Sequence, residues 1–293
     1  MNKTIENDLL KVCISEKGAE LTSILSKKEK TEFLWQADPA VWGRHAPILF
    51  PIVGKLKEDR YAFNGKDYPM SQHGFARDLS FQVIQQEENH LRFSLTDDEE
   101  TWNHFPFHFR LEIDYRLEGN KLYTGYFVTN LDEAETMYFS IGAHPGLKVP
   151  LEEKTVFEDY VIEISPSLDR RLFPVTSEVL INRPEINKTK QAHFPLSREW
   201  FKDGVIILET LDETQVTLKS TKSEKKVVFC YQEMPYLGIW SPYPNTGDFV
   251  CIEPWCGIAD MVDTNGELTQ KEGIHSLAPQ AVFERAFEMQ FFD

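Results

Sequence analysis

Hydrophobic and polar residues alternate with period two along much of this 293-residue chain. The clearest run is FRLEIDYRL, Phe109 to Leu117. Phe109, Leu111, Ile113, Tyr115 and Leu117 share one face, and Arg110, Glu112, Asp114 and Arg116 the other. Such alternation predicts a half-buried strand. Glu118-Gly119-Asn120 then turns the chain into KLYTGYFVTN, so the two segments read as an antiparallel hairpin. YAFNGKDYPM predicts a second hairpin, with Asn64-Gly65 at its two-residue turn.

Further strand-like runs are LLKVCIS, AELTSIL, SFQVIQQ, HLRFSL, ETMYFSI, YVIEI, VIILETL, QVTLKS, KKVVFCY, YLGIWS, DFVCIEP and FERAFEMQFF. Helical pattern is scarce: DDEETWNHF at 97–105 and DPAVWG at 38–43 each suit a short turn of helix. Residues 165–200, with prolines scattered among polar residues, read as a long surface loop carrying short strands. No fixed-period repeat and no Gly/Ser linker divides the chain. The expectation is one large all-β antiparallel domain spanning 1–293.

Composition supports a globular β protein: 41% of residues are apolar and 13% aromatic. The aromatics also suit a cleft that stacks on sugar rings. Thirty-one basic against 47 acidic residues leave a net charge of -16, which repels a phosphate backbone and argues against nucleic acid. Apolar runs such as APILF, stopped by Pro51, are too short to span a bilayer, so no membrane association is expected. MNKTIENDLLK lacks an apolar export core. Cys13, Cys230, Cys251 and Cys256 show no CxxC spacing, which fits reduced thiols and a cytoplasmic setting.

Two histidines have unusual surroundings. His73 in SQHGFARD and His144 in IGAHPG each adjoin glycine or proline beside strand-like sequence. That context suits an imidazole displayed at a strand end, where its near-neutral pKa allows proton transfer in either direction. It equally suits a histidine that satisfies a turn or packs on an aromatic ring. Glu253 in DFVCIEPWCG would be delivered to a rim by the FVCI strand, and burial beside Trp255 would raise its pKa. A structural carboxylate on backbone N–H groups is the plainer alternative.

Arg77, four residues after His73, and Arg44 in WGRHAPILFP offer donor forks for a hydroxyl, a phosphate or a carboxylate. Trp240 in GIWSPYP is a candidate sugar platform, or a rim aromatic. HExxH, GxGxxG, GKS/GKT and GxSxG are all missing, and no His/Cys/Asp cluster is closely spaced. Neither a metal nor a cofactor is expected.

WGRHAPILFPIVGKL at 42–56, HGFARD at 73–78, SIGAHPGLKVP at 140–150 and CIEPWCGIAD at 251–260 follow one another in a characteristic order. In these motifs the whole chain resembles the aldose 1-epimerase (galactose mutarotase) family, most closely its LacX-like branch. The resemblance implies a β-supersandwich with an open sugar cleft. It implies His144 as the acid toward the ring oxygen and His73 as a holder of the sugar nearby. Glu253 is the implied base for the anomeric hydroxyl, and Asp203 in WFKDGVII falls where relatives hold sugar hydroxyls. The implied activity is interconversion of the α and β anomers of an aldose by ring opening and closure, with carboxylate and imidazole on opposite sides of the hemiacetal. The implied partner is a small-molecule sugar; the sequence does not specify an oligomeric state. HGFAR also occurs in relatives acting on hexose 6-phosphates, so that substrate class is an alternative, as is a non-catalytic carbohydrate-binding protein. The lack of a denser basic cluster favours a free aldose.

Overall fold

The computed structural model describes residues 1–210 and 213–293. The alternating runs form two large antiparallel sheets. The larger has nine strands in the order His193–Pro195, Tyr160–Ser165, Glu213–Ser220, Lys226–Gln232, Val282–Phe292, Lys121–Asn130, Phe109–Glu118, His90–Thr96 and Gln82–Gln86. The smaller has eight. Its path runs Asn187–Thr189, Arg170–Leu172, Ile206–Glu209, Tyr236–Trp240, Phe249–Cys256, Ile141–Ala143 and Ile48–Leu49, with Gly146–Lys148 also paired to Phe249–Cys256. No helix among the described residues is long and apolar enough to cross a membrane.

One hydrophobic cluster draws on both sheets, taking Leu111, Ile113 and Tyr115 from the larger and Leu237, Ile239, Val250 and Ile252 from the smaller. Each fully buried aliphatic side chain there contributes roughly 1.5–3 kcal/mol of transfer free energy. The period-two reading holds in detail: Phe109, Leu111, Ile113, Tyr115 and Leu117 are all buried, while Arg116 opposite is exposed. The first predicted hairpin closes with Glu118 opposite Lys121. The second closes with Phe63 opposite Lys66, Asn64 and Gly65 taking φ of 50° and 73°. These are the paired left-handed conformations that match the twist of a hairpin.

Local expectations fail in instructive places. ETMYFSI is not one strand. Met137–Phe139 pairs with His275–Leu277, whereas Ile141–Ala143 joins the eight-stranded sheet. Ser140 makes the switch, its N–H donating to the Pro51 carbonyl (2.7 Å) and its hydroxyl accepting from the Val53 N–H (2.8 Å). DPAVWG is a turn rather than a helix, closed by the Val41 and Trp42 N–H groups on the Asp38 carbonyl. DDEETWNHF does contain a helix, Glu99–Trp102, capped by Asp98 and Thr101. Of the predicted strand VIILETL, Ile206–Glu209 is observed, and Leu211 lies outside the described residues.

Candidate active site

The strand Phe249–Cys256 is buried along its whole length. Val250, Ile252 and Cys256 face the shared core, which turns Cys251, Glu253 and Trp255 toward the opposite side. Along one edge the strand Ile141–Ala143 pairs Gly142 with Trp255, and Gly146–Lys148 pairs Gly146 with Cys251. The register is the same before and after the break, so His144, in the interruption, stands opposite Glu253. Side chains of directly opposed residues share a face and meet. Accordingly His144 Nε2 lies 3.2 Å from Glu253 Oε2.

On its other edge Glu253 is opposite Gly238, which in turn is opposite Ile207. A Cβ on Gly238 would meet the Trp255 ring at 2.7 Å, so only glycine lets that indole lie flat over the strand as a floor. The Trp255 N–H donates to the Ala143 carbonyl at 3.1 Å. The same indole is close enough to Glu253 to offset a little of the rise in its pKa, yet both Glu253 oxygens and His144 Nδ1 are buried without a well-formed hydrogen bond. Buried polar atoms are ordinarily paired, and unpaired ones cluster where a ligand completes them.

His73 enters from a sharp bend, with φ of 68° at His73 and 70° at Gly74. A Cβ on Gly74 would lie 2.3 Å from the Phe50 carbonyl oxygen. The His73 N–H donates to the Gly54 carbonyl (2.8 Å), and the Gly54 N–H donates back to His73 Nδ1 (3.1 Å). Nδ1 is thus an acceptor, which leaves the proton on Nε2; the Gln72 amide nitrogen, itself a donor, lies 3.2 Å from it, so with this tautomer the two are in contact without a hydrogen bond. The His73 ring meets the His144 ring edge-on at 5.4 Å. Trp42 stacks on His144 at 5.1 Å, and Trp240 approaches it edge-on at 5.8 Å.

Enclosure by these rings sets the charges. Burial depresses the pKa of His144 to about 3 and that of His73 well below the ordinary value of 6.5. The same burial raises Glu253 well above the ordinary carboxyl value of 4.5. An apolar enclosure disfavours whichever form is charged, so the two kinds of group move in opposite directions. Burial therefore favours the neutral form of each group, a protonated carboxyl on Glu253 beside an uncharged imidazole.

His73, His144, Glu253, Arg77 and Trp240 all line one cavity of about 400 Å³, of a size that suits a small ligand. The structure thus joins five of the seven residues singled out from sequence. Arg77 is partly engaged, donating from Nη2 to the Gln72 carbonyl at 2.6 Å, with burial lowering its pKa to about 10. Arg44 is outside: it forks onto both Asp78 oxygens at 3.0 and 3.2 Å and lines a neighbouring cavity that shares Arg77. Asp203 is exposed and is not part of the lining, although Gly204 beside it is.

Sequence reasoning missed Trp42, Gln72, Val179 and Trp255 as lining residues. Trp42 and Trp255 lie within the motifs quoted above, but nothing local distinguishes them from core aromatics. The pair His144 and Glu253 sits on one face of the sheet and in contact. Tertiary structure further brings Cys251 to the pair, a cluster that residue spacing did not show.

The sequence profile described as aldose 1-epimerase matches residues 2–276. The chain is 32% identical to the chromosomal LacX protein of Lactococcus lactis subsp. lactis over 298 residues, covering 99% of each. Among solved structures, it resembles a galactose mutarotase related enzyme from Lactobacillus acidophilus, with a TM-score of 0.97 and 39% identity. That match covers 100% of this chain and 98% of the other. A galactose mutarotase-like protein from Lactobacillus casei ATCC 334 gives a TM-score of 0.92 and 32% identity, covering 100% of both.

Proposed function

The chain belongs to the aldose 1-epimerase family, and on that premise we propose that it interconverts the α and β anomers of an aldose by acid–base ring opening and closure. The observation that carries this reading is the buried, mutually contacting and otherwise unpartnered pair His144–Glu253 on the wall of a sugar-sized cavity. The anomeric hydroxyl and the ring oxygen hang from one carbon. Two adjacent proton-transfer groups on one face match that arrangement better than two groups across a gap.

The single shared proton accounts for the chemistry. When a hemiacetal binds, its hydroxyl donates to Glu253 and its ring oxygen accepts from His144, which favours the carboxylate–imidazolium arrangement. Glu253 then takes the anomeric proton while His144 gives its proton to the ring oxygen, the carbon–oxygen ring bond breaks, and an aldehyde forms. Afterwards Glu253 is protonated and His144 neutral, the distribution that the dry cleft already prefers. Rotation of the aldehyde carbon and reversal of both transfers closes the ring as the other anomer. General acid–base groups of this kind each contribute about 10²- to 10⁴-fold. His73, on the cavity wall against His144, holds the sugar beside the ring oxygen, and Trp42, Trp240 and Trp255 supply apolar surface for its C–H faces.

A free aldose is the favoured substrate over a hexose 6-phosphate. Arg44 is occupied by Asp78, and Arg77, on the cavity wall, is partly engaged: Nη2 donates to the Gln72 carbonyl and Nε lies 3.8 Å from the same Asp78 carboxylate without a hydrogen-bond partner, so no dense cationic cluster stands beside the pair. A purely binding role would not require the two titratable groups to meet. The test is exchange NMR on freshly dissolved glucose, galactose and their 6-phosphates. Acceleration of free-sugar exchange supports the proposal, acceleration confined to the phosphates replaces the substrate, and none above background ends it.

A further inference from the structure

Cys251 is two residues before Glu253 on the same face of the strand and opposite Gly146, two residues after His144. His144, Cys251 and Glu253 each present one ligand atom, and these atoms all lie within 4.8 Å of one another. Among the described residues this is the one group of three such side chains gathered so closely. The mechanism uses only two of its members.

We infer that His144, Cys251 and Glu253 form a binding site for zinc, which competes with sugar for the cleft. An imidazole nitrogen, a thiolate and a carboxylate oxygen are a donor set that suits Zn²⁺ and disfavours magnesium or calcium. Three protein donors leave a fourth position for an exchangeable ligand, and two of the three, His144 and Glu253, line the cavity. An independent observation points the same way. Glu253 is 1% exposed with both oxygens unpartnered, so a cation would satisfy donors that the folded chain leaves unsatisfied.

Burial keeps the Cys251 thiol protonated when no cation is present, so binding must displace its proton. His144 has only its own backbone close to the ring as an acceptor, and Nδ1 makes no well-formed hydrogen bond. A ligand histidine usually has one, and its absence makes the site weaker than a structural zinc centre. Such a site fits a reversible inhibitor rather than a resident metal. Zinc on His144 and Glu253 occupies the two atoms that would move the sugar's protons, so binding and anomer exchange exclude each other.

The metal site stands on geometry, while the competition rests on the function proposed above; two readouts separate them. Titration of the full chain with Co²⁺, followed by absorption, reads metal binding without activity. The expected result is a thiolate-to-cobalt charge-transfer band that zinc abolishes and that is lost in Cys251→Ser. A wild-type protein without that band overturns the site, as does a band of unchanged intensity in Cys251→Ser. If Cys251→Ser fails to fold, Glu253→Gln takes its place, with cobalt affinity expected to fall about tenfold or more; unchanged affinity overturns the site. The second readout is zinc inhibition of anomer exchange, expected to be relieved by raising the sugar concentration. Cobalt binding without inhibition overturns the competition and leaves the metal site standing.

Discussion

His144 stands opposite Glu253 across a break in strand pairing, with Nε2 3.2 Å from Oε2 and no third group satisfying the carboxylate. Both are held in their neutral forms by the same apolar enclosure, His144 with a pKa near 3 and Glu253 well above 4.5. A pair arranged this way favours moving a proton between two places over stabilising the fold, and that distinction can be measured.

Replacing Glu253 by Gln, or His144 by Asn, is expected to lower anomer exchange by about 10²-fold or more, the lower end for removal of one acid–base group. Near pH 4.5, where the raised pKa of Glu253 has not yet begun to cost stability, the loss in Glu253→Gln should stay within about 1–3 kcal/mol, the range for a buried amide without a partner. Exchange NMR and urea denaturation on the same samples check both halves. A larger loss of stability in Glu253→Gln would mean that the carboxyl is structural.

The buried pair also sets a pH dependence. With a folded pKa near 3 against an ordinary 6.5, His144 binds fewer protons folded than unfolded between those values. Its contribution to stability is complete above pH 6.5 and is lost as pH falls toward 3, with a slope of up to roughly 1.4 kcal/mol per pH unit for one proton. Glu253 has the opposite sign. Its folded pKa is raised, so the contribution of its protonated form is complete below pH 4.5 and is lost as pH rises toward the folded value. Denaturant midpoints across this range should therefore rise less steeply with pH in His144→Asn than in the wild type. Glu253→Gln should gain on the wild type as pH rises above 4.5.

Trp42 stacks on His144 and helps to exclude water from it. Trp42→Ala should bring the His144 pKa up toward 6.5, by about one unit or more, since desolvation is the leading cause of its depression. Titration of the imidazole resonances by NMR reads this directly. An unmoved pKa would show that the remaining neighbours, Trp240 and His73, are sufficient.

Asp203 and Arg44 offer a contrast with the pair. Asp203 is exposed, makes no hydrogen bond or ion pair among the described residues, and does not line the cavity. Asp203→Ala should change kcat/KM by no more than about twofold, or roughly 0.4 kcal/mol. A loss near that of Glu253→Gln would place Asp203 against bound sugar after a movement of the segment that carries it.

Gly74→Ala tests how His73 is aimed. The added carbon would meet the Phe50 carbonyl at 2.3 Å in a backbone conformation of φ 70° that alanine disfavours. Roughly 1–3 kcal/mol of stability should be lost to strain, together with anomer exchange as His73 shifts. Full activity at wild-type stability would mean that the bend relaxes without moving the imidazole.

Local order along the chain was open to inspection in the sequence. Alternation from Phe109 to Leu117, the Asn64-Gly65 turn, and histidines beside glycine and proline each depend on neighbours a few residues apart. Side-chain periodicity and turn chemistry act on that scale. The family motifs added which distant residues belong together. Only the folded sheet decided how they meet. One continuous register on both sides of the break at His144 puts that residue, rather than its neighbours, opposite Glu253, and a shift of one residue would have turned it to the other face. The sheet also brought Cys251 to the pair and committed Arg44 to Asp78, while Asp203 stayed outside the lining. Strand order and register arise from pairings between segments far apart in the chain, and local alternation is the same whichever strand becomes the neighbour.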